Sequence, residues 1–130
     1  MSPRAPQPLA DIGERIELLK STLGMFAPGE PVPIARELYQ LGEEVLLHWL
    51  LARGHTAAED LSLLGLADEA AQLDGKLEAA GDLCREISRV EESVVHDDDA
   101  PETSSRLAAL AALVGDLYAL VAPKVAAAKS

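Results

Sequence analysis

Apolar residues recur at helical spacing through most of the chain. Near the start, Ile12, Ile16, Leu19 and Leu23 follow one another at steps of four, three and four residues. That spacing keeps the side chains on one face of a helix and gives the helix one apolar side to bury. No segment alternates apolar and polar residues for long enough to predict a strand. The pattern therefore predicts an all-α protein.

Two further stripes predict the second and third helices. A proline opens the second helix, and its stretch "VLLHWLL" is apolar on nearly every side, which places it at the centre of a bundle. Thr56 is predicted to cap a short helical turn over residues 57–64. The third helix is predicted over residues 67–95, although Gly75 and Gly81 each weaken it by about 1 kcal/mol relative to Ala.

Aspartates and a proline delimit the last predicted helix. The segment "HDDDAPETSS" ends the third helix, and its aspartates favour the positive end of the next helix dipole. Leu and Val recur at helical spacing over residues 107–121, and Pro123 is predicted to end or fray that helix before a loose tail. The sequence thus predicts an all-α, four-to-five-helix up-and-down bundle over residues 9–125, preceded by a disordered lead at residues 1–8.

Composition and charge narrow the class of protein. The chain has 130 residues, of which 48% are hydrophobic and only 3% aromatic, so we expect one domain with a core of Leu, Val and Ala. The net charge of −11 repels phosphate backbones, and we expect no DNA partner. No apolar run approaches the roughly 20 residues that span a bilayer, and none resembles a signal peptide. We therefore expect a cytoplasmic protein that does not associate with membranes.

The chemistry-bearing residues predict neither a metal site nor a cofactor. His48, His55 and His96 fall on different predicted elements, and the acidic residues are scattered along the chain. The spaced ligands and glycine of a calcium-binding loop are missing, as is a phosphate-cradling glycine loop. The single cysteine, Cys84, excludes an internal disulfide and a zinc site built from several cysteines.

The third helix carries a polar stripe near its end. At about 100° per residue, Arg85, Arg89, Glu92 and His96 fall within about 60° of one another. One interpretation is a solvated face with ion pairs between residues three or four apart. The other is a polar furrow in which Arg89 binds a phosphate and His96 transfers a proton. The spacing is compatible with both.

Two ionisable residues lie in apolar sectors of the predicted helices. His48 falls in the apolar stripe of the second helix, and Glu91 points into the apolar sector of the third. The two could form a buried pair between the helices, since a buried carboxylate costs several kcal/mol without a partner. Alternatively, each lies at the edge of its stripe and reaches water.

The second helix also suggests a contact surface. Leu46, Leu47, Trp49 and Leu50 make it apolar around most of its circumference, which exceeds what a four-helix monomer is expected to cover. A two-fold dimer would bury the surplus, and such dimers are the commonest oligomers. These four residues are therefore the predicted face for a homodimer or for another protein partner.

Two segments resemble the HEPN superfamily, all-α bundles of bacterial toxin–antitoxin, defence and nucleotidyltransferase-associated systems. "ARELYQLGEEVLLHWLLARG" (residues 35–54) is similar to an early helix of the family. "ISRVEESVVHDDDAPETSSRLAALAALVGDLYALV" (residues 87–121) is similar to its signature region. There an arginine precedes a histidine at a helix end by four to six intervening residues, and an acidic turn and a Leu-rich helix follow. Arg89 and His96 stand at these two places.

The resemblance implies two opposite functions. Active members are metal-independent ribonucleases in which the arginine and histidine of two chains face a shared cleft, so Arg89 and His96 would be catalytic. The commonest family form, however, has an arginine and a polar residue at the positions of Glu91 and Glu92. A carboxylate cannot donate hydrogen bonds to phosphate as a guanidinium does.

The departure at Glu91 and Glu92 decides which function we expect. The leading hypothesis is a non-catalytic or degenerate HEPN-like interaction module in a bacterial stress, defence or toxin–antitoxin setting. The first alternative is an active endoribonuclease that uses Arg89 and His96, and only this alternative has RNA as a partner. The second is a generic helical dimer that binds a protein through the apolar face of the second helix.

Overall fold

The computed structural model of the chain describes residues 7–25, 30–55, 61–97 and 101–129. Within these residues the chain forms a 3-10 turn, five α-helices and no strand, which confirms the predicted all-α bundle. The helices are α1 (Leu9–Met25), α2 (Pro31–Ala52), α3 (Leu63–Leu73), α4 (Glu78–His96) and α5 (Thr103–Lys129), and the 3-10 turn is Gly75–Leu77.

Helix α2 is the central element, because it packs against each of the other four helices and most extensively against α5. Gln7 hydrogen-bonds to Glu44, and Arg15, further along the chain, hydrogen-bonds to Glu37, so α1 runs antiparallel to α2. The buried apolar side chains of all five helices form one hydrophobic cluster, with Trp49 as its largest member. The all-round apolar character of α2 thus serves burial on several sides.

Helix α3 runs in the same direction as α2. Its first residue, Leu63, donates its backbone N–H to the Tyr39 hydroxyl at 3.1 Å, beside the first half of α2. Further along α3, Glu69 accepts a hydrogen bond from His55, just beyond the C-terminal end of α2, at 3.0 Å. Helix α4 then turns back along α3, and α5 turns back along α4, with both pairs in contact.

The prediction of one continuous third helix is wrong, because the helix is interrupted between residues 73 and 78. Helix α3 ends at Leu73, and Asp74 has an extended backbone with φ −147° and ψ 106°. The Asp74 carboxylate accepts a hydrogen bond from the Lys76 N–H at 3.0 Å, which stabilises the turn Gly75–Leu77. An aspartate that caps the next N–H competes with helix continuation, and the following glycine lowers the cost of the break.

The predicted short turn capped by Thr56 has its first residues outside the described part of the chain. Residues 56–60 belong to that gap. Helix α3 begins instead at Leu63, after Ser62, whose hydroxyl accepts a hydrogen bond from the Gly65 N–H at 3.3 Å. Ser62 therefore caps α3, and the predicted Thr56 cap lies outside the described residues.

Pro123 does not end the last helix, so the first of the two outcomes predicted for it is wrong. Helix α5 continues through it to Lys129, past the predicted domain end at residue 125. Pro123 removes one backbone donor, which leaves the Ala119 carbonyl without its helical partner. Both residues lie on the exposed side of α5, where water can bond that carbonyl. Val125 is buried on the opposite side and anchors the last turns to the core.

The sequence predicted no segment long and apolar enough to span a bilayer, and α5 differs from that prediction. The stretch Thr103–Ala127 has 25 residues, and its most apolar 18-residue window has a mean hydropathy of 1.5, so by length and composition it could cross a membrane. It is the one such helix in the described part of the chain, and 33% of its most apolar window is buried. Its buried Leu and Val residues pack against α1, α2 and α4.

Candidate functional site

The polar stripe of α4 is a row of solvent-exposed ion pairs. The Arg89 side chain is 68% exposed, and its Nη2 donates to Glu86 Oε2 at 2.7 Å. This hydrogen bond lowers the pKa of Glu86 and raises the pKa of the Arg89 guanidinium. Arg85 pairs with Asp82 in the same way one turn earlier. Arg89 therefore pairs with a carboxylate of its own helix.

His96 occupies the last residue of α4 and is also in solvent. Its side chain is 75% exposed, and its Nε2 lies 3.9 Å from Glu92 Oε1. The seven-residue step from Arg89 places the two residues about 10 Å apart along the helix axis. Neither residue lines the two surface grooves described below. The structure thus matches the interpretation of a solvated face more closely than that of a furrow.

His48 and Glu91 are both half-buried, and they contact different neighbours. Among the described residues, no hydrogen bond or ion pair joins them. Burial raises the pKa of Glu91, and the positive charges that oppose this effect belong to Arg36 and His96. Arg36 lies twelve positions before His48 on α2, which is about 18 Å along the helix. Because the charge of Arg36 acts on Glu91, Glu91 lies toward the Arg36 end of α2, away from His48.

The predicted contact face of α2 is buried inside the chain. Leu46, Leu47, Trp49 and Leu50 are at most 2% exposed, so they belong to the core. The Arg53 guanidinium lies over the Trp49 ring at 4.9 Å from its centroid and covers it further. The prediction of a free apolar face at these four positions is wrong, because four helices pack around α2.

A polar contact that the sequence analysis did not predict ties the start of α1 to α2. Glu44, only 7% exposed, accepts hydrogen bonds from the Gln7 backbone N–H at 2.9 Å and from the Gln7 amide at 3.1 Å. His48 Nε2, one turn later, hydrogen-bonds to the Gln7 carbonyl. We call Gln7, Glu44 and His48 the Gln7 latch. The spacing of Glu44 and His48 within an apolar stretch was the sequence signal that could have indicated it.

The Gln7 latch lies at the end of the predicted lead. The predicted disorder of residues 1–8 cannot be compared for positions 1–6, which lie outside the described residues. Gln7 itself is hydrogen-bonded through its N–H, its carbonyl and its side-chain amide. Gln7, which precedes the first residue of α1, is therefore tied to the bundle.

An open groove of about 360 Å³ follows the surface between α1 and α2. Its wall contains Arg15, whose guanidinium donates two hydrogen bonds to Glu37, at 2.5 and 2.8 Å. The first of these contacts raises the pKa of Arg15. The residues that line this α1–α2 groove are Gln7, Asp11, Glu14, Arg15, Leu18 and Glu37. Most of the polar groups that it presents are hydrogen-bond acceptors.

A second groove, of about 490 Å³, lies on the other side of α1, against α5. Gly13 and Gly115 line it, and a Cβ atom at Gly13 would lie 2.6 Å from the Tyr118 hydroxyl. Glycine at this position thus lets the Tyr118 ring rest on the α1 backbone. Glu14 lines both grooves, so α1 exposes a ridge with a carboxylate at its crest.

Cys84 and the acidic residues offer no reactive centre in the described part of the chain. Cys84 is fully buried, and burial raises its pKa to about 12, so the nucleophilic thiolate is scarce at neutral pH. Among the described residues, no group of three or more His, Cys, Asp and Glu side chains could hold a metal ion. The features with accessible chemistry are therefore the α4 ion pairs and the surface around α1.

Comparison of the chain with profiles of protein families, with curated proteins and with solved structures gave no match. The functional proposals below draw on the geometry of the polar and apolar surfaces.

Proposed function

We propose that the chain is a non-catalytic helical interaction module. This is the degenerate form that the HEPN resemblance suggested, and the proposed bacterial stress, defence or toxin–antitoxin setting comes from that resemblance. One observation carries the choice against a ribonuclease. Arg89 and His96, the pair that would cleave RNA, point into solvent and lie beside Glu86 and Glu92 of their own helix.

Phosphate binding at Arg89 would take place beside a carboxylate that already accepts from the same guanidinium. Its guanidinium already donates to both carboxylate oxygens of Glu86, at 2.7 and 3.4 Å. A phosphodiester would also meet Glu92 beside His96 and the net charge of −11. General acid–base catalysis needs groups that converge on one reacting atom, and here the two side chains lie two turns apart on an open helix face. These features support a binding role.

Exposed apolar side chains support an interaction role directly. Leu18 is 55% exposed and Met25 is 71% exposed, and both lie on the same face of α1. Grouped apolar side chains in water commonly mark surfaces that contact another protein. The core of this chain needs neither Leu18 nor Met25, since the buried residues of α1 lie on its opposite side.

An RNA-cleavage assay without added metal tests this proposal. The purified full chain, the Arg89→Ala variant and the His96→Ala variant are each incubated in excess over a labelled single-stranded RNA. We expect no cleavage above buffer for any of the three proteins, with a known ribonuclease as the positive control. Cleavage by the wild type that both variants lose would refute the non-catalytic proposal and make Arg89 and His96 a catalytic site.

A further inference from the structure

The structure points to the outer face of α1 as a docking surface, and we propose that it binds a basic amphipathic helix of a partner protein. We define this outer face as Asp11, Glu14, Leu18, Ser21 and Met25. All five side chains are exposed. The proposal rests on the proposed function as an interaction module and adds the class of partner.

The spacing of the outer face matches that of a helix–helix seam. Its five residues follow at steps of three, four, three and four, which places them on one side of α1, and two of them, Leu18 and Met25, are apolar. Ile12, Ile16 and Leu19 occupy the opposite side of α1 and are buried in the bundle. Helix α1 therefore has two stripes, of which the chain itself covers only one. A second helix fits such a stripe better than an extended segment does.

The two halves of the outer face differ in chemistry. Asp11 and Glu14 form its N-terminal half, and Leu18 and Met25 give an apolar C-terminal half. Within the described ranges, the carboxylates of Asp11 and Glu14 form no hydrogen bond and no ion pair. The nearby Arg15, in contrast, is bound to Glu37. Unpartnered carboxylates beside an open groove attract guanidinium or ammonium groups. The partner helix should thus carry Lys or Arg at one end of the side that contacts α1, and apolar side chains at the other end.

Charge decides between the possible occupants. A second copy of this chain also carries −11, and an antiparallel or parallel pair of α1 helices would place carboxylates near carboxylates or leave them unpaired. A nucleic acid would present phosphates to Asp11 and Glu14, which is repulsive. A basic amphipathic helix satisfies both halves of the outer face, because its cations meet the carboxylates while its apolar residues cover Leu18 and Met25.

The N-terminal half of α1 is held in place before any partner binds. The Gln7 latch fixes its start on α2, and the two hydrogen bonds from Arg15 to Glu37 fix the groove wall about two turns later. A helix whose backbone is already held in place loses less conformational entropy on binding. The α1–α2 groove gives a long Lys or Arg side chain room beside Asp11 and Glu14.

Binding of a designed peptide tests the charged half. The probe is a fluorescent amphipathic helical peptide of Leu and Lys, compared with a matched peptide of Leu and Glu, and binding to the full chain is followed by anisotropy at low salt. We expect the Asp11→Asn/Glu14→Gln variant to bind the Leu/Lys peptide at least about tenfold more weakly than the wild type. The control Asp68→Asn/Glu78→Gln removes the same charge elsewhere, including one acid in a helix first turn, and should change binding less than about twofold.

A second pair of variants tests the apolar half. Leu18→Gln should weaken binding at least about threefold, whereas Leu73→Gln, which alters an equally exposed leucine on α3, should leave it unchanged. Circular dichroism of each variant checks that the bundle is intact. Equal weakening by both charge variants, equal binding of the two peptides, or no binding by the wild type would each overturn the docking proposal. RNA cleavage by the wild type would instead overturn the proposed function, so the two failures are distinguishable.

Discussion

In the Gln7 latch, a residue that precedes α1 is held by two residues of α2. Glu44 is almost fully buried, and a buried carboxylate is costly unless it accepts hydrogen bonds. Gln7 supplies two donors to it, and His48 satisfies the Gln7 carbonyl. The latch therefore joins the entry of α1 to the central helix by polar contacts, and further along α1 the hydrogen bonds from Arg15 to Glu37 and the apolar packing of Ile12, Ile16 and Leu19 hold it in place.

Removing the Glu44 carboxylate should destabilise the bundle. Glu44→Ala leaves the Gln7 donors without their acceptor, and we expect the free energy of unfolding to fall by about 1–2 kcal/mol. Glu44→Gln keeps one acceptor oxygen and should cost less than Glu44→Ala. Urea denaturation measures both, with Gln40→Ala at an exposed position of α2 as the control. A loss no larger than that of Gln40→Ala would contradict the latch.

Glu91 predicts a pH-dependent effect whose sign follows from its burial. Burial raises its pKa above the ordinary value of 4.5, so the folded state binds the proton more tightly than the unfolded state does. Its contribution to stability is therefore complete below that value and is lost as pH rises through the folded-state pKa.

Glu91→Gln should thus gain stability relative to the wild type as pH increases from 4 to 7. Urea denaturation at several pH values measures this difference, and Asp68→Asn controls for the loss of one surface charge. A difference between variant and wild type that stays constant, or that shrinks as pH rises, would show that burial does not govern Glu91.

The sequence located the unusual residues but not their partners. His48 and Glu91 were identified because ionisable side chains fell in apolar sectors, and both are indeed half-buried. Their neighbours depend on which turn of α2 faces which turn of α4, and helical periodicity carries no information on that register. Gln7, the actual partner of His48, lies in a proline-rich segment with no periodic signal.

At the scale of elements, α2 gives the sharpest test of which apolar residues belong to the core. Leu50 is fully buried, and its neighbour Leu51 is 38% exposed. Leu50→Ala should lower the free energy of unfolding by about 2–5 kcal/mol, and Leu51→Ala by less than about 1 kcal/mol. Urea denaturation measures both variants. Equal, small losses would indicate that α2 has a free apolar face after all.

Helix α5 contains a proline that its packing tolerates. Pro123→Ala restores one backbone donor and removes the clash with the preceding turn, so we expect the free energy of unfolding to rise by about 1–2 kcal/mol. Pro101→Ala should give no such gain, because Pro101 precedes α5 and removes no hydrogen bond of the helix. Thermal unfolding followed by circular dichroism compares them. No gain at Pro123 would mean that α5 is frayed beyond Val121.

The sequence predicted which segments form helices more reliably than it predicted where those helices begin and end. The apolar stripes of α1, α2 and α5 are the buried faces, because the 3.6-residue period reports burial directly. The break at Asp74 and the continuation through Pro123 were not predicted. Each depends on a local competition, in one case between a side-chain cap and the helix, in the other between a missing donor and the burial of Val125.

At the scale of the whole molecule, one chain covers the surface on which a dimer was expected. Leu46, Leu47, Trp49 and Leu50 are in the core, so a homodimer cannot be built on them without unfolding. A homodimer through another surface stays a prediction, and sedimentation equilibrium of the full chain measures it. The exposed apolar residues Leu18 and Met25 lie on α1, beside carboxylates that favour a basic partner.

Only part of the candidate docking surface could be predicted from the sequence. The alternating three- and four-residue steps of its five members are visible in the chain. However, the buried apolar stripe of α1 gives the stronger sequence signal. The wall of the groove beside Asp11 is formed by the contact between Arg15 and Glu37 of α2, which the sequence does not show. Surfaces of this kind depend on two helices at once, which a one-dimensional pattern does not encode.

The central claim is that this chain binds a basic helix through α1 and does no chemistry at α4. The most direct test is a ¹H–¹⁵N spectrum of the full chain titrated with the Leu/Lys peptide. We expect the largest shifts at the amides of Asp11, Glu14 and Leu18, with little change at Arg89 and His96. Shifts centred on Arg89 and His96, with α1 unaffected, would contradict the claim.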